Sequence, residues 1–391
     1  MGWDEMRIGF VISCAMMISL MSGCGLAGGE LATQMLVTYS TGSPTVPVGS
    51  PEGKMATQTP APSPTASPTA TVSYLLTPSA IPIPLDPAHW THFTSPTDVL
   101  LSDVQHIDQG QNGTMWFGGI KIYRYDGKNW SIYDQKSIPV FQGHVIESLA
   151  VAPGGTVWIG TENNEVVSFD GTTWKSLSVE EGGYRDNWIT SIVIRKNGEL
   201  CAVSIEGMSC LDGENWVHHP IVVQKTVNRV YVRNAVLTTA DEIWVPVDNG
   251  VLYHYDGKNW ESIQVSSWIC CLSPSHDGSL WIYDHEGFGK LNPKNGKIDY
   301  HWTPALISEH AEAIKEATDG TLWFGTGQSY QVAHYIHGSY ITADGQLLKD
   351  SVVQYDYGSN GSFPFYHVSY IFQAMDGSMW FGTVGGIFRY K

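Results

Sequence analysis

One short string recurs seven times in this chain and constrains its fold more than any other feature. The copies are Met115-Trp116-Phe117-Gly118-Gly119, Val157-Trp158-Ile159-Gly160-Thr161, Leu200-Cys201-Ala202-Val203-Ser204, Ile243-Trp244-Val245-Pro246-Val247, Leu280-Trp281-Ile282-Tyr283-Asp284, Leu322-Trp323-Phe324-Gly325-Thr326 and Met379-Trp380-Phe381-Gly382-Thr383. Two are degraded. Their second residues are spaced by 42, 43, 43, 37, 42 and 57 positions. A strand-rich period of about 40–45 residues points to a propeller or an array.

Each repeat reads as four short strands. Repeat one runs from Val104 to Tyr133, with turns at Asn112-Gly113 and Asp126-Gly127. Asn-Gly and Asp-Gly accept the positive φ angles of tight hairpins. These pairs therefore read as turn formers, not metal ligands. The second strand is apolar at consecutive positions, as in a strand buried on both faces. Its glycine (Gly118, Gly160, Gly325, Gly382) leaves room for a close neighbour.

The last repeat stops after its third strand, at Gly386 to Lys391, while His89-Trp90-Thr91-His92-Phe93 resembles an orphan fourth strand. The expectation is an all-β, seven-bladed β-propeller closed by this amino-terminal strand, which leaves no free sheet edge.

Upstream, Ile8 to Met21 is an apolar run that fits a signal peptide better than a transmembrane helix. The translation start is open between Met1 and Met6. Met21-Ser22-Gly23-Cys24 resembles the lipobox of bacterial lipoproteins, which implies lipidation at Cys24. Residues 31–88 are rich in Thr, Pro, Ser and Ala, too poor in apolar groups to offset ordering entropy. The expected domains are residues 1–23 (lipoprotein signal peptide), 24–88 (lipid-anchored disordered stalk) and 89–391 (propeller). The expected location is the extracytoplasmic face of the cell envelope, with the membrane reached through the lipid anchor only. Net charge is −17, which disfavours nucleic acid as a partner. A monomer is expected.

The repeat Leu-Trp-Phe-Gly-Thr followed by Tyr-Arg-Tyr-Asp-Gly-Lys-Asn-Trp resembles the two-component regulator propeller repeats. That resemblance implies an extracytoplasmic sensor propeller, with glycan-derived ligands as one input. No kinase or DNA-binding domain follows the last repeat, so signalling by this chain alone is not expected.

No zinc-protease, nucleophile-elbow, phosphate-loop or calcium-loop motif is present. No catalytic residue, metal or cofactor is expected. Cys201 and Cys210 fit either a disulfide or two buried thiols. Cys270-Cys271 fits a vicinal disulfide less well than two small core residues.

Ligands of propellers meet the loops at one mouth of the channel. Two loop sets line it, those from a fourth strand to the next first strand and those between strands two and three. Together with the repeat-six insert, Val352 to His367, they carry the candidate ligand-binding residues Tyr184, Arg185, Trp188, Trp268, His285, Glu286, Trp302, His310, Tyr330, Phe365 and His367. Aromatic faces with amides and carboxylates suit a sugar. The competing reading is that these aromatics pack the blade ends. The favoured function is a non-enzymatic module binding a glycan or an envelope protein. The alternative is a lyase-like enzyme, resembling the streptogramin lyases in fold, with a divalent metal on a His/Glu pair such as His285-Glu286 or Glu309-His310.

Overall fold

The computed structural model describes residues 89–93, 103–134, 136, 138–141, 144–179, 188–204, 207–221, 232, 234–247, 249–266, 268–284, 287–300, 311–325 and 367–391. It also describes the backbone of 81–84, 326, 332–341 and 347–356. All lie within one compact unit, Val72–Lys391. The signal sequence, Cys24 and most of the stalk lie outside the described residues.

Two strands precede the repeats, β1 (Ile81–Pro84) and β2 (Trp90–Phe93). Repeat one folds as β3 (His106–Gln109), β4 (Met115–Gly118), β5 (Ile122–Tyr125) and β6 (Trp130–Tyr133). Repeat two supplies β7 (Ile146–Val151), β8 (Val157–Thr161), β9 (Glu165–Phe169) and β10 (Trp174–Ser178). Repeat three supplies β11 (Ser191–Ile194), β12 (Leu200–Ser204), β13 (Gly207–Asp212) and β14 (Asn215–Pro220). Repeat four supplies β15 (Val236–Leu237), β16 (Ile243–Pro246), β17 (Val251–Tyr255) and β18 (Trp260–Gln264). Repeat five supplies β19 (Ile269–Pro274), β20 (Leu280–Asp284), β21 (Gly287–Asn292) and β22 (Lys297–Tyr300). Repeat six supplies β23 (Ala311–Glu316), β24 (Leu322–Thr326), β25 (Val332–Ile341) and β26 (Leu347–Asp356). Repeat seven supplies only β27 (Val368–Gln373), β28 (Met379–Thr383) and β29 (Gly386–Tyr390).

Repeats one to five are four-stranded sheets with the strands in chain order. In the last sheet β2 takes the missing fourth place, in the order β2-β29-β28-β27. Repeat six departs from this pattern. Its sheet has five strands, because β1 pairs in parallel with β26, Ile81 opposite Val353 and Pro84 opposite Asp356. The expectation of a seven-bladed propeller is corrected accordingly: six sheets are four-stranded blades, and repeat six forms a five-stranded sheet instead. The assignment of Ile81–Pro84 to a disordered stalk is corrected with it. Prolines at alternate positions remove N–H groups from one side of a strand only, which an edge tolerates. The insert in repeat six is corrected too. Val352 to Asp356 belong to the ten-residue strand β26, paired with β25, so much of the extra length is a long hairpin.

The first strands pack against one another around an axis, β3 on β7, β7 on β11, β15 on β19, β19 on β23, β23 on β27 and β27 back on β3. At the remaining joint the Ala235 amide donates to Ser191 Oγ at 2.7 Å. The core lies between sheets. Phe117 packs with Trp380 and Ile387 of the last sheet, while its neighbour Trp116 packs with Ile159 and Val167 of the second. That explains the unbroken apolar pattern of the second strands. A Cβ on Gly382 would lie 2.5 Å from the Val104 carbonyl oxygen, and one on Gly325 would lie 2.6 Å from Val368 Cγ1.

The turns follow their sequences. Gly155 has φ 90 and donates its amide to the Ala152 carbonyl at 2.8 Å. Repeat four lacks such a glycine and uses Asp241 at φ 67. Asp241 also accepts from the Lys196 amide at 2.8 Å and the Arg195 guanidinium at 3.0 Å, which ties sheet four to sheet three. Cys201 and Cys210 face each other on β12 and β13 and are joined in a disulfide. Cys270 is a thiol whose Sγ donates to the Ala311 carbonyl, so no vicinal disulfide joins it to Cys271.

Closure by β2 is dense. Trp90 is buried against Phe381 and Tyr390. Phe93 stacks on Trp380 with centroids 5.1 Å apart, and the Arg389 guanidinium lies over both rings. His92 stacks on Phe388 at 4.2 Å. The Lys391 amide donates to the His89 carbonyl at 2.9 Å.

Candidate functional site

Several first strands are entered through a buried aliphatic residue. Val104, Ile146, Ile189, Ile269 and Val368 are all essentially inaccessible. The residue before each is Asp103, Val145, Trp188, Trp268 or His367, and His310 precedes the equally buried Ala311. The backbone around this position is held on both sides. The Val145 and His367 carbonyls accept from the Glu162 and Val384 amides of their own sheets' second-to-third loops, each at 3.3 Å. The Val104 and Ile189 amides donate to Thr383 and Thr161 of the preceding sheet, at 3.3 and 3.0 Å. Main-chain bonds thus hold four of these entries, whereas the Trp268 carbonyl accepts from Ser266 Oγ at 2.7 Å. The position recurs at the axial end where the two loop sets meet.

Polar groups gather there across four successive sheets. His367 Nε2 lies 3.4 Å from Glu312 Oε1 of sheet six. Its charge also acts on Asp103, whose carboxyl burial pushes up. His106, at the start of β3, is almost fully buried and donates to the Glu147 carbonyl. Its ring lies 5.8 Å from that of Tyr370. Burial holds His106 down at about 4. Burial and the nearby Glu162 push the Glu147 carboxyl up to about 7. Glu162 accepts from the Val145 amide at 3.3 Å and lies 3.8 Å from His144, which contacts Asn163 at 3.2 Å. Asp103 and His367 both have left-handed backbones, at φ 53 and 52. For non-glycine residues that is a strained conformation of the kind that collects at functional sites.

Further along the first strands, Asp108 accepts from the Gln109 and Val151 amides, each at 2.7 Å, yet burial raises it to about 6. Buried Lys315 is pushed down by desolvation, against the attraction of Glu316 and Asp108. Burial and Asp108 raise the Tyr370 hydroxyl to about 12.

Of the residues proposed from sequence, Trp188, Trp268 and His367 are described, and all three occupy the recurrent position. Trp188 is 45% exposed. Trp268 is partly buried and packs against the core cluster shared by sheets five and six. Tyr184, Arg185, His285, Glu286, Trp302, His310, Tyr330 and Phe365 lie outside the described residues. Sequence reading missed Asp103, His106, Glu147, Glu312 and Tyr370. The signal that finds them is position: each sits at or just before the start of a first strand.

Among the described residues, one trio has metal-ligating atoms close together, Glu199, Cys201 and Cys210. The disulfide consumes both sulfurs, so it is not a metal centre. The turn carboxylates are also committed. Asp126, Asp170 and Asp256 each accept two backbone amides, which hold them below the usual carboxylate range.

A ring of antiparallel sheets whose first strands surround an axis defines a β-propeller, and this chain has that fold. No protein-family model matches the chain, and no curated protein matches it. Solved structures do resemble it. A catalytically inactive virginiamycin B lyase from Staphylococcus aureus, determined with quinupristin, shares 14% identity at a TM-score of 0.59, over 77% of this chain and 98% of that one. YCF48 from Cyanidioschyzon merolae shares 12% at 0.60, over 77% and 98%. The extracellular domain of a putative hybrid two-component system from B. thetaiotaomicron shares 16% at 0.54, over 74% of this chain and 40% of that one. At such identities the likeness establishes the fold alone.

Proposed function

We propose that this chain is an extracytoplasmic, non-enzymatic binding module. In this reading its ligand docks at the axial mouth of the propeller. The observation that carries the reading is the recurrent position before the buried anchor. That position presents Asp103, Val145, Trp188, Trp268 and His367 in turn at the entry to successive first strands, and loop-borne side chains on a rigid scaffold are where recognition residues vary. Tyr184, Arg185, His285, Glu286, Trp302, His310, Tyr330 and Phe365 extend the same set of loops. The ligand class is a glycan or an envelope protein.

Export is supported by the Cys201–Cys210 disulfide, which belongs to oxidising compartments, and by the signal-like run before Cys24. Lipidation of Cys24 would tether the propeller to the membrane. The lyase reading has fold likeness on its side, and fold does not imply function.

The test is a thermal-shift screen of the intact chain in mild detergent against oligosaccharides and synthetic peptides. Binding to the folded state raises the melting temperature by mass action. A hit is expected to weaken at least about tenfold with Trp188→Ala or His367→Ala. Hits indifferent to both substitutions would place the ligand elsewhere and overturn the reading.

A further inference from the structure

The joint between sheets one and two carries a cleft of about 260 Å³ at the end of the ring opposite the mouth, among the hairpin turns. Trp116, Val151 and Phe169 wall it, and Arg124, Asn112 and Asp170 line it. Two glycines, Gly110 and Gly155, open it. Gly110 begins the first turn of its sheet, donating its amide to the Thr114 carbonyl and accepting from the Gly113 amide. In the other sheets the same two bonds are made by Ala152, Arg195, Thr238, Ser275, Ala317 and Ala374. Glycine stands at this place in sheet one alone. Gly155 likewise holds the place of Asp241, each donating its amide to the residue that begins the turn. At the joint between sheets three and four the matching residues, Arg195 and Asp241, reach across and pair at 3.0 Å. Here both are glycines, and the space between the sheets is left open.

The cleft also holds a cation without its usual acid. In three sheets the tryptophan of the second strand faces a basic residue on the third, Trp116 opposite Arg124, Trp281 opposite Lys290 and Trp380 opposite Arg389. Each cation lies over its indole, at 5.9, 5.0 and 5.5 Å. In sheets five and seven the turn before the second strand supplies an aspartate. Lys290 pairs with Asp277 at 2.8 Å, and the charge of Arg389 acts on Asp376. Sheet one has Asn112 in that place. Among the described residues Arg124 has no ion-pair partner. The acids around it are spent or apart. Asp126 is exposed and held by the Asn129 and Lys128 amides. Asp108, across Trp116, accepts from the Gln109 and Val151 amides. Asp170 lines the same cleft without pairing with Arg124. Asn112 Oδ1 accepts from the Thr114 amide at 3.0 Å, which leaves its Nδ2 to donate.

We propose that this cleft binds a small monocarboxylic acid, with its carboxylate on the Arg124 guanidinium and the Asn112 amide and its apolar body against Val151 and Phe169. A guanidinium resting on an indole is pre-set for a planar acceptor with two oxygens. Ligand sites usually measure about 300–1,000 Å³, so a cleft just below that range suits one small organic acid. The negative charge of Asp170 disfavours a multiply charged anion such as phosphate. This site lies at the other axial end from the mouth and does not depend on what the mouth binds.

The experiment titrates the intact chain, in mild detergent, with benzoate, isovalerate and inorganic phosphate, and with benzamide and isovaleramide as neutral counterparts, read by ligand-observed NMR. The two carboxylates are expected to bind, with their amides at least about tenfold weaker and phosphate weaker as well. Carboxylate binding should fall as salt rises. Arg124→Gln should abolish the difference between acid and amide. Asn112→Asp is the sharper variant, because it restores the turn aspartate of sheets five and seven and supplies Arg124 with a partner. It should weaken carboxylate binding at least about tenfold while the melting temperature holds or rises. A retained cooperative melt shows that each variant folds, and Asn112→Asp decides the matter alone if Arg124→Gln does not. Amides that bind as well as their acids, phosphate bound most tightly, or carboxylate affinity unmoved by Asn112→Asp would each overturn the proposal. So would the absence of binding by either acid at concentrations up to about 10 mM.

Discussion

Two sheets of this propeller borrow a strand from the segment before the repeats, and they use it differently. In the last sheet β2 replaces a missing fourth strand. It is antiparallel, its tryptophan is buried, and its rings interleave with those of β28 and β29. In the sixth sheet β1 adds a fifth strand to a sheet that already has four, in parallel and at the outer edge. The first strand completes a ring. The second covers an edge. Ring completion recruits every inter-sheet contact at the joint, so its contribution to stability greatly exceeds that of a four-residue edge pairing.

That difference is open to direct attack. Deleting residues 89–93 should abolish cooperative unfolding, because β29 becomes a bare edge and the joint between the last sheet and the first loses its partner. A calorimetric scan that still showed one sharp transition would refute this. Trp90→Ala should cost about 3–5 kcal/mol in denaturant unfolding, the usual range for a large buried aromatic. Gly382→Ala, across the same joint, should cost about 1–3 kcal/mol by overpacking against Val104.

Glu147→Gln probes the mouth near that joint and should act in the opposite direction. The folded carboxyl titrates at about 7 against a reference of 4.5, so the folded state holds the proton more tightly. Its contribution to stability therefore falls as pH rises through that window. The variant should melt higher than the parent at pH 8, by about 1–3 °C, and equally at pH 4. A parent that gains stability from pH 5 to 7 relative to the variant would contradict the assignment. The smallest effect belongs to β1. Replacing Ile81–Pro84 with Gly-Ser-Gly-Ser should shift stability by no more than about 1 kcal/mol. A loss as large as that of Trp90→Ala would erase the contrast between the two strands.

Most of the scaffold was legible in the sequence because the ring enforces it repeatedly. Each second strand must be apolar on both faces, as Trp116 and Phe117 are, and Gly382 must yield to Val104. Even the closing strand could be read, because His89 to Phe93 carries the same tryptophan-led pattern as Trp130 to Tyr133. The exceptions had local causes. Asp241 takes a positive φ without a glycine to announce it, and β1 hides its alternating isoleucines among prolines. The site was much less legible. Trp188, Trp268 and His367 drew attention as aromatic or ionisable loop residues. Asp103, Glu147 and Glu312 look like ordinary surface acids in a chain that has many. Only the ring places the starts of four first strands side by side, and no local pattern encodes that meeting.

The two faces of the ring make the same point with one chemistry. At the turns, Asp126 and Asp256 are satisfied by the amides two and three residues ahead. At the mouth, Glu147 is desolvated beside another acid. A turn carboxylate acquires its donors from the adjoining backbone, whereas one desolvated beside a like charge is pushed toward its neutral form. Such an arrangement costs the scaffold stability where the carboxyl is ionised.

The closing strand also sets an order of events. His89 and Lys391, paired at the seam, are 302 residues apart in sequence. Nearly the whole propeller must be synthesised, and the other sheets brought into a row, before β2 can meet β29. Closing so long a loop is entropically slow. Until then Trp90 and Phe93 at the start, and the open flank of the last sheet, are adhesive surfaces in search of each other. The seam is thus both the last thing this molecule does as it folds and the place where two unfinished copies would most readily exchange strands.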